Sequence, residues 1–179
     1  YGVDAAVIHP PARTGFFTPR APAPDPAPPG DASVARPEPV DPREQSHAGS
    51  ASEGYFLYAG ALEPYKRVDL AMNACAHLGA RLVVVGTGSD EPRLRSLAAD
   101  IGHTARIEFL GRVSDGRLRE LYQQAWALVY PQCEDFGITA VEAQACGTPV
   151  VAYGRGGALD TVVHGRSGVH FAEQSIESL

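Results

Sequence analysis

From Tyr55 onward, short apolar runs alternate with longer segments in which apolar residues recur every third or fourth position. The runs are YFLYAG, RLVVVG, RIEFLG and WALVYP, and between them lie VDLAMNACAHLG, EPRLRSLAADIG and GRLRELYQQA. Continuous apolar runs of this length suit strands buried on both faces, and the wider spacing suits amphipathic helices, so the rhythm predicts βαβαβαβ. The first three runs end in glycine and the fourth in Pro131, where a strand-to-helix turn needs permissive or extended backbone. Beyond Pro131 the pattern predicts a helix near Ile138 to Ala145, a strand PVVAY, a short helix near Leu159 to Val163, a strand GVHF and a last helix reaching Leu179. Helices between successive strands imply a parallel sheet covered on both faces, an α/β domain with a doubly wound parallel sheet.

The stretch before Tyr55 breaks this pattern. Residues 18–52 are crowded with proline and hold no aromatic residue, so they offer too little apolar surface to offset the entropy of ordering. The expected organisation is a linker with a short strand at Ala6 to His9 over residues 1–16, a disordered proline-rich insertion over 17–52, and one domain over 53–179. A chain of 179 residues has room for one such domain. It opens on Tyr1 rather than Met, and it reads as a fragment of a longer protein.

A formal charge of −6 argues against a nucleic-acid or anionic-membrane partner, which would demand a basic face. Cys75, Cys133 and Cys146 are an odd count without Cys-x-x-Cys spacing, suggesting neither a disulfide framework nor a zinc site and fitting a reducing, cytoplasmic setting. The histidines show no ligand spacing. No apolar run approaches the roughly 18 to 20 residues that span a bilayer.

Ligands of doubly wound sheets bind beyond the carboxyl ends of the strands where the strand order reverses. With the common order 3-2-1-4-5-6, counted from Tyr55, the first and fourth strands are neighbours, and their ends bring GALEPYKR (Gly60 to Arg67) beside PQCEDFG (Pro131 to Gly137). The helix opening near Ile138 would aim free N–H groups and its positive dipole end into that crevice, a setting that suits phosphate. Gly137 would allow close approach, and Lys66 and Arg67 would supply the positive charge that the composition as a whole lacks. Glu134 and Glu142 admit two readings. Thr139 to Glu142 has capping-box spacing, and Glu134 could be an anion held by the helix dipole; alternatively, two carboxylates flanking a phosphate cradle are the paired acceptors that sugar hydroxyls require. Gly86-Thr-Gly88 begins like a dinucleotide fingerprint but places Glu91 at the third glycine position, and it is read as a turn.

Taken together, EDFGITAVE followed by AQACGTPVVAYGRGG, with GALEPYKRVDL, IEFLGRVSDGRLRELY and GGALDTV, resembles the carboxy-terminal, donor-binding domain of group 1 (family four) retaining glycosyltransferases of the GT-B fold. The likeness runs through residues 1–16 and 53–179, and EDFGITAVEAQACG with GALEPYKR is most similar to bacterial GDP-mannose-dependent mannosyltransferases of polysaccharide assembly. The resemblance implies that Lys66 pairs with the donor diphosphate and that Glu134 meets the sugar hydroxyls. Phe136, Gly137 and Ile138 would offer backbone N–H groups, Glu142 would accept from the ribose, and Arg112 and Val113 would lie along the base. Gly60, Arg67 and Thr139 complete the residues expected to touch the donor. Ala61 stands where many members carry an arginine, so Arg67 or Arg155 would have to compensate, and Asp160 replaces the family's usual glutamate. No metal and no cofactor beyond the nucleotide-sugar are implied. The acceptor, a glycan or lipid-linked oligosaccharide, would sit on an amino-terminal domain outside this sequence, as would any peripheral membrane contact, so the chain is expected to bind the donor and turn nothing over alone. Two rival readings are a non-catalytic nucleotide-sugar-binding module or decayed paralogue, and an NAD-dependent enzyme resting on the GTG turn.

Overall fold

A computed structural model describes residues 12–21, 54–102 and 106–179. Six strands form one parallel sheet: β1 (Phe56–Ala59), β2 (Leu82–Val85), β3 (Ile107–Gly111), β4 (Ala127–Tyr130), β5 (Val150–Tyr153) and β6 (Gly168–Phe171). Their order across the sheet is β3-β2-β1-β4-β5-β6, as the doubly wound pattern predicts, so the order reverses between β1 and β4. Between the strands run α1 (Val68–His77), α2 (Glu91–Asp100), α3 (Asp115–Gln124), α4 (Ile138–Ala145) and α5 (Ala158–Thr161).

Side chains alternate across the sheet and build two cores. Leu57, Val83, Val85, Leu128, Tyr130, Val150 and Ala152 point to one face, where they meet Leu121 and Tyr122 of α3, Ala140 and Ala143 of α4 and Ala158 of α5. Tyr58, Leu82, Val84, Ile107 and Val129 point to the other, where they meet Val68, Ala71, Met72 and Cys75 of α1 and Leu94 and Ala98 of α2. Cys75 and Cys146 are buried, and burial raises their thiol pKa values to about 12 and about 11. Both serve as small apolar residues, whereas Cys133 is exposed.

Two details differ from the sequence expectation. The helix expected to reach Leu179 is replaced by bends and turns after β6, where the Ser178 hydroxyl accepts from the N–H groups of Ala172 and Glu173 at 3.2 and 3.1 Å. Those bonds, with the Ser178 N–H donating to the Ser175 hydroxyl at 3.3 Å, close the segment into serine-mediated turns that compete with helical backbone pairing. Residue 17 does not behave as the start of an insertion: Phe17 is 0% exposed and stacks edge-on against Tyr122, ring centroids 5.6 Å apart. The remainder of the proposed insertion, residues 22–52, and the proposed strand at Ala6 to His9 lie outside the described residues.

Candidate functional site

The turn after β1 forms a single 3-10 turn at Pro64–Lys66, and Arg67 closes it in the left-handed region (φ 53°). That reversal swings the Lys66 side chain inward, leaving it 11% exposed with its ammonium over the Tyr65 ring at 5.1 Å. Burial pulls the Lys66 pKa below the ordinary lysine value, and the facing carboxylate of Glu134, with which it forms an ion pair, works in the opposite direction. Glu134 also accepts a hydrogen bond from the Tyr130 hydroxyl. Lys66 on one turn and Glu134 on the other therefore meet across the β1–β4 switch point.

The acidic loop is held from behind. Gly157 N–H donates to the Glu134 carbonyl at 2.7 Å, and a Cβ on Gly157 would stand 2.3 Å from the Asp135 carbonyl oxygen. The GRGG turn thus fixes the loop that carries Glu134, and its paired glycines are the sequence signal of that close backbone approach. Gly137 then caps α4 with φ 87° and no side-chain cap bond. The N–H groups of Ile138 and Thr139 begin the helix and have no intrahelical acceptor. This overturns the capping-box reading of Thr139 to Glu142, because the helix begins at Ile138 and Glu142 does not reach back to it. Glu142 is instead buried, its carboxylate 3.5 Å from Arg13 Nε, and Arg13 is also paired with Asp115. Burial raises the Glu142 pKa, and Arg13 opposes that shift.

Two cavities open at the carboxyl end of the sheet. One, about 290 Å³, is lined by Gly60, Lys66, Gln132, Glu134, Phe136, Gly137, Ile138 and Thr139, among others. The second, about 300 Å³, is lined by Ala61, Gly86, Thr87, Arg112, Val113 and Leu118. Ala59, Gly60 and Thr139 line both, so the two chambers adjoin. Of the residues singled out in the sequence, Gly60, Lys66, Arg112, Val113, Glu134, Phe136, Gly137, Ile138 and Thr139 thus lie along one groove. Arg67 does not, being turned toward Asp69 at 3.3 Å and Gln174 at 3.5 Å. Nor do Glu142 and Arg155, so the cation in the groove besides Lys66 is Arg112. The GTG turn packs its backbone on the turn after β1, with Leu62 N–H donating to the Thr87 carbonyl at 3.1 Å, which accounts for its glycines without a dinucleotide. Among the described residues no group of three or more His, Cys, Asp or Glu side chains could hold a metal ion, and no helix is long and apolar enough to cross a membrane.

A doubly wound α/β domain with a cation, a carboxylate and an open helix N-terminus at its switch point defines a class of domain built to hold phosphorylated ligands. The family described as "Glycosyl transferases group 1" matches residues 42–179, and the chain belongs to that family. D-inositol 3-phosphate glycosyltransferase of Mycobacteroides abscessus is 35% identical over 170 residues, covering 91% of this chain and 34% of that protein. The protein of the same name from Acidothermus cellulolyticus is 42% identical over 128 residues, covering 63% of this chain and 29% of its own length. This chain therefore spans about a third of these relatives. Among solved structures, sucrose-phosphate synthase from Thermosynechococcus elongatus superposes with a TM-score of 0.73 at 27% identity, covering 92% of this chain and 39% of that one. Anabaena HepE in complex with UDP superposes at 0.66 with 26% identity, covering 72% and 37%.

Proposed function

We propose that the chain forms the donor site of a retaining hexosyltransferase and holds a nucleoside diphosphate sugar along the two-chambered groove. The observation that carries this reading is the shared wall of Ala59, Gly60 and Thr139, which joins a chamber holding Lys66 and Glu134 to one holding Arg112 and Val113. A sugar and diphosphate in the first chamber would meet Glu134, the Lys66 ammonium and the α4 N–H groups, and a base in the second would lie along Arg112 and Val113. As the bond between sugar and diphosphate breaks, negative charge grows on the departing diphosphate. Preorganised donors of the kind Lys66 and the helix N-terminus provide stabilise such charge by about 3–4 kcal/mol each. Donor binding must first draw Lys66 from Glu134, which frees the carboxylate for sugar hydroxyls. For Glu142 to accept from a ribose, Arg13 would have to yield its hold on that carboxylate. Arg67 has no place in this reading, and Arg112 takes the compensating role that Ala61 leaves open.

The wording of EDFGITAVEAQACG and GALEPYKR favours GDP-mannose and mannosyl transfer to a glycan or lipid-linked acceptor held by an amino-terminal domain. A second reading, a uridine donor, is favoured by the UDP and UDP-glucose in the HepE complexes. A thermal-shift series with GDP, UDP, ADP and NADH distinguishes them. One nucleoside diphosphate should stabilise the chain by about 2.7 kcal/mol at a hundred times its Kd, and Lys66→Ala should abolish the shift. Stabilisation by NADH alone, or by none of the four, would overturn the donor site. In an assay with labelled donor, the chain by itself is expected to show no transfer above buffer.

A further inference from the structure

Gln132 plays no part in the reading above, yet it lines the sugar chamber. It is 1% exposed, it lines the same cavity as Lys66 and Glu134, and its amide oxygen has no hydrogen-bond partner among the described residues. The neighbouring Tyr130 hydroxyl fixes which way the amide faces. That hydroxyl donates its proton to Glu134 and so can only accept from Gln132, which turns the NH2 group toward Tyr130 and leaves the C=O turned away from it. A buried acceptor without a donor is costly, and folded proteins keep one where a ligand supplies the missing hydrogen.

The chemistry of the missing donor is restricted. A diphosphate carries no proton at neutral pH and would be repelled by an amide oxygen, so that part of the ligand belongs with Lys66 and the α4 N–H groups. The hydroxyls of the sugar are donors and would occupy the same chamber. We propose that Gln132 is a specificity-determining residue of the donor site, its amide oxygen accepting a hydrogen bond from one hydroxyl of the donor hexose and so discriminating among sugars that differ at that carbon. The proposal rests on the donor-site reading and adds a second sugar acceptor beside Glu134. A site built to bond a hydroxyl rejects the analogue that lacks it more strongly than an apolar pocket rejects an extra group, because the polar partner is left buried and unpaired.

The test is calorimetric titration of the full chain and of Gln132→Met, which keeps the volume but removes the acceptor, with GDP, UDP, their mannosyl and glucosyl esters, and monodeoxy versions of whichever ester binds. The expected result is unchanged affinity of Gln132→Met for the free nucleoside diphosphate, with a loss of about 5- to 30-fold for the sugar nucleotide, the range set by one hydrogen bond in a buried site. One deoxy sugar should bind the parent chain correspondingly more weakly, and that deficit should vanish in Gln132→Met. Should Gln132→Met fold poorly, Gln132→Ser, which withdraws the acceptor from the hydroxyl, is expected to give the same pattern. Equal losses for nucleotide and sugar nucleotide, no loss for either, or a deoxy deficit that persists in the variant would each overturn the role of Gln132 while leaving the donor site standing. Absence of any nucleotide binding by the parent chain would instead remove the donor site itself, and the proposal with it.

Discussion

At the scale of single residues, Glu142 shows how a side chain with a plausible sequence role acquires another in three dimensions. Its spacing from Thr139 matched a capping box and its spacing from Glu134 matched a sugar-nucleotide signature, but neither reading contained Arg13, which reaches it from a segment more than a hundred residues earlier. Nothing local in a sequence encodes a partner at that separation. The pairing has a measurable consequence. Burial raises the Glu142 pKa above the ordinary glutamate value, so the folded state holds that proton more tightly than the unfolded chain does. The associated stabilisation is fully present below the unfolded pKa and is lost as pH rises through the folded value. Glu142→Gln removes the charge that burial penalises, and the Arg13 it abandons keeps Asp115 and remains half exposed. The variant is therefore expected to melt a few degrees higher than the parent at pH 7 and to lose the advantage as the pH falls toward 4, as followed by circular dichroism. A lower melting temperature at pH 7 would show that the ion pair with Arg13 outweighs the cost of burying the carboxylate.

At the scale of elements, most of the framework was legible because each element carries its own pattern. Runs such as LVVV and ALVY, short, rich in β-branched residues and bounded by turn residues, read as buried strands, and the helices between them allow few topologies, so the convergence of the turns carrying Lys66 and Glu134 followed from the strand order. Legibility ended where an element depends on tertiary support, as in the tail after β6, or where two loops fix each other, as the GRGG turn fixes the acidic loop. The start of α4 combines both kinds of information. Gly137 sits at φ 87°, and a Cβ there would stand 2.7 Å from the Tyr130 hydroxyl, the group that bonds Glu134. Gly137→Ala is expected to cost about 1–3 kcal/mol in urea unfolding through backbone strain and that clash. It should also weaken nucleotide binding, since relief of the clash displaces either the N–H groups of α4 or the carboxylate partner of Lys66. If the clash matters, Gly137→Ala in a Tyr130→Phe background should be less damaging than in the parent; identical costs in both would assign the whole effect to φ.

At the scale of the molecule, the folding unit is not the continuous stretch that begins at residue 53. Its α3–α4 face is completed by Phe17, fully buried against Tyr122 with the Arg13 guanidinium 5.2 Å from its ring, and by Gln123 donating to the Thr18 carbonyl. The sequence hid this because two adjacent aromatics beside a proline-rich tract have no periodicity, and their partners on α3 lie more than a hundred residues further along the chain. The same ten-residue segment therefore supplies both a core side chain and the cation over Glu142, coupling the packing of that face to the neighbourhood of the groove. Phe17→Ala should cost about 3–5 kcal/mol, the usual penalty for emptying a buried aromatic site. A chain cut back to residues 54–179 should lose at least as much, since it uncovers Tyr122 and leaves Glu142 buried without a counter-charge. Urea unfolding of the three chains checks this: a loss below about 1 kcal/mol for Phe17→Ala would be too small for a cavity of that size, and would mean that residues 12–21 do not hold the position in solution that gives Glu142 its partner.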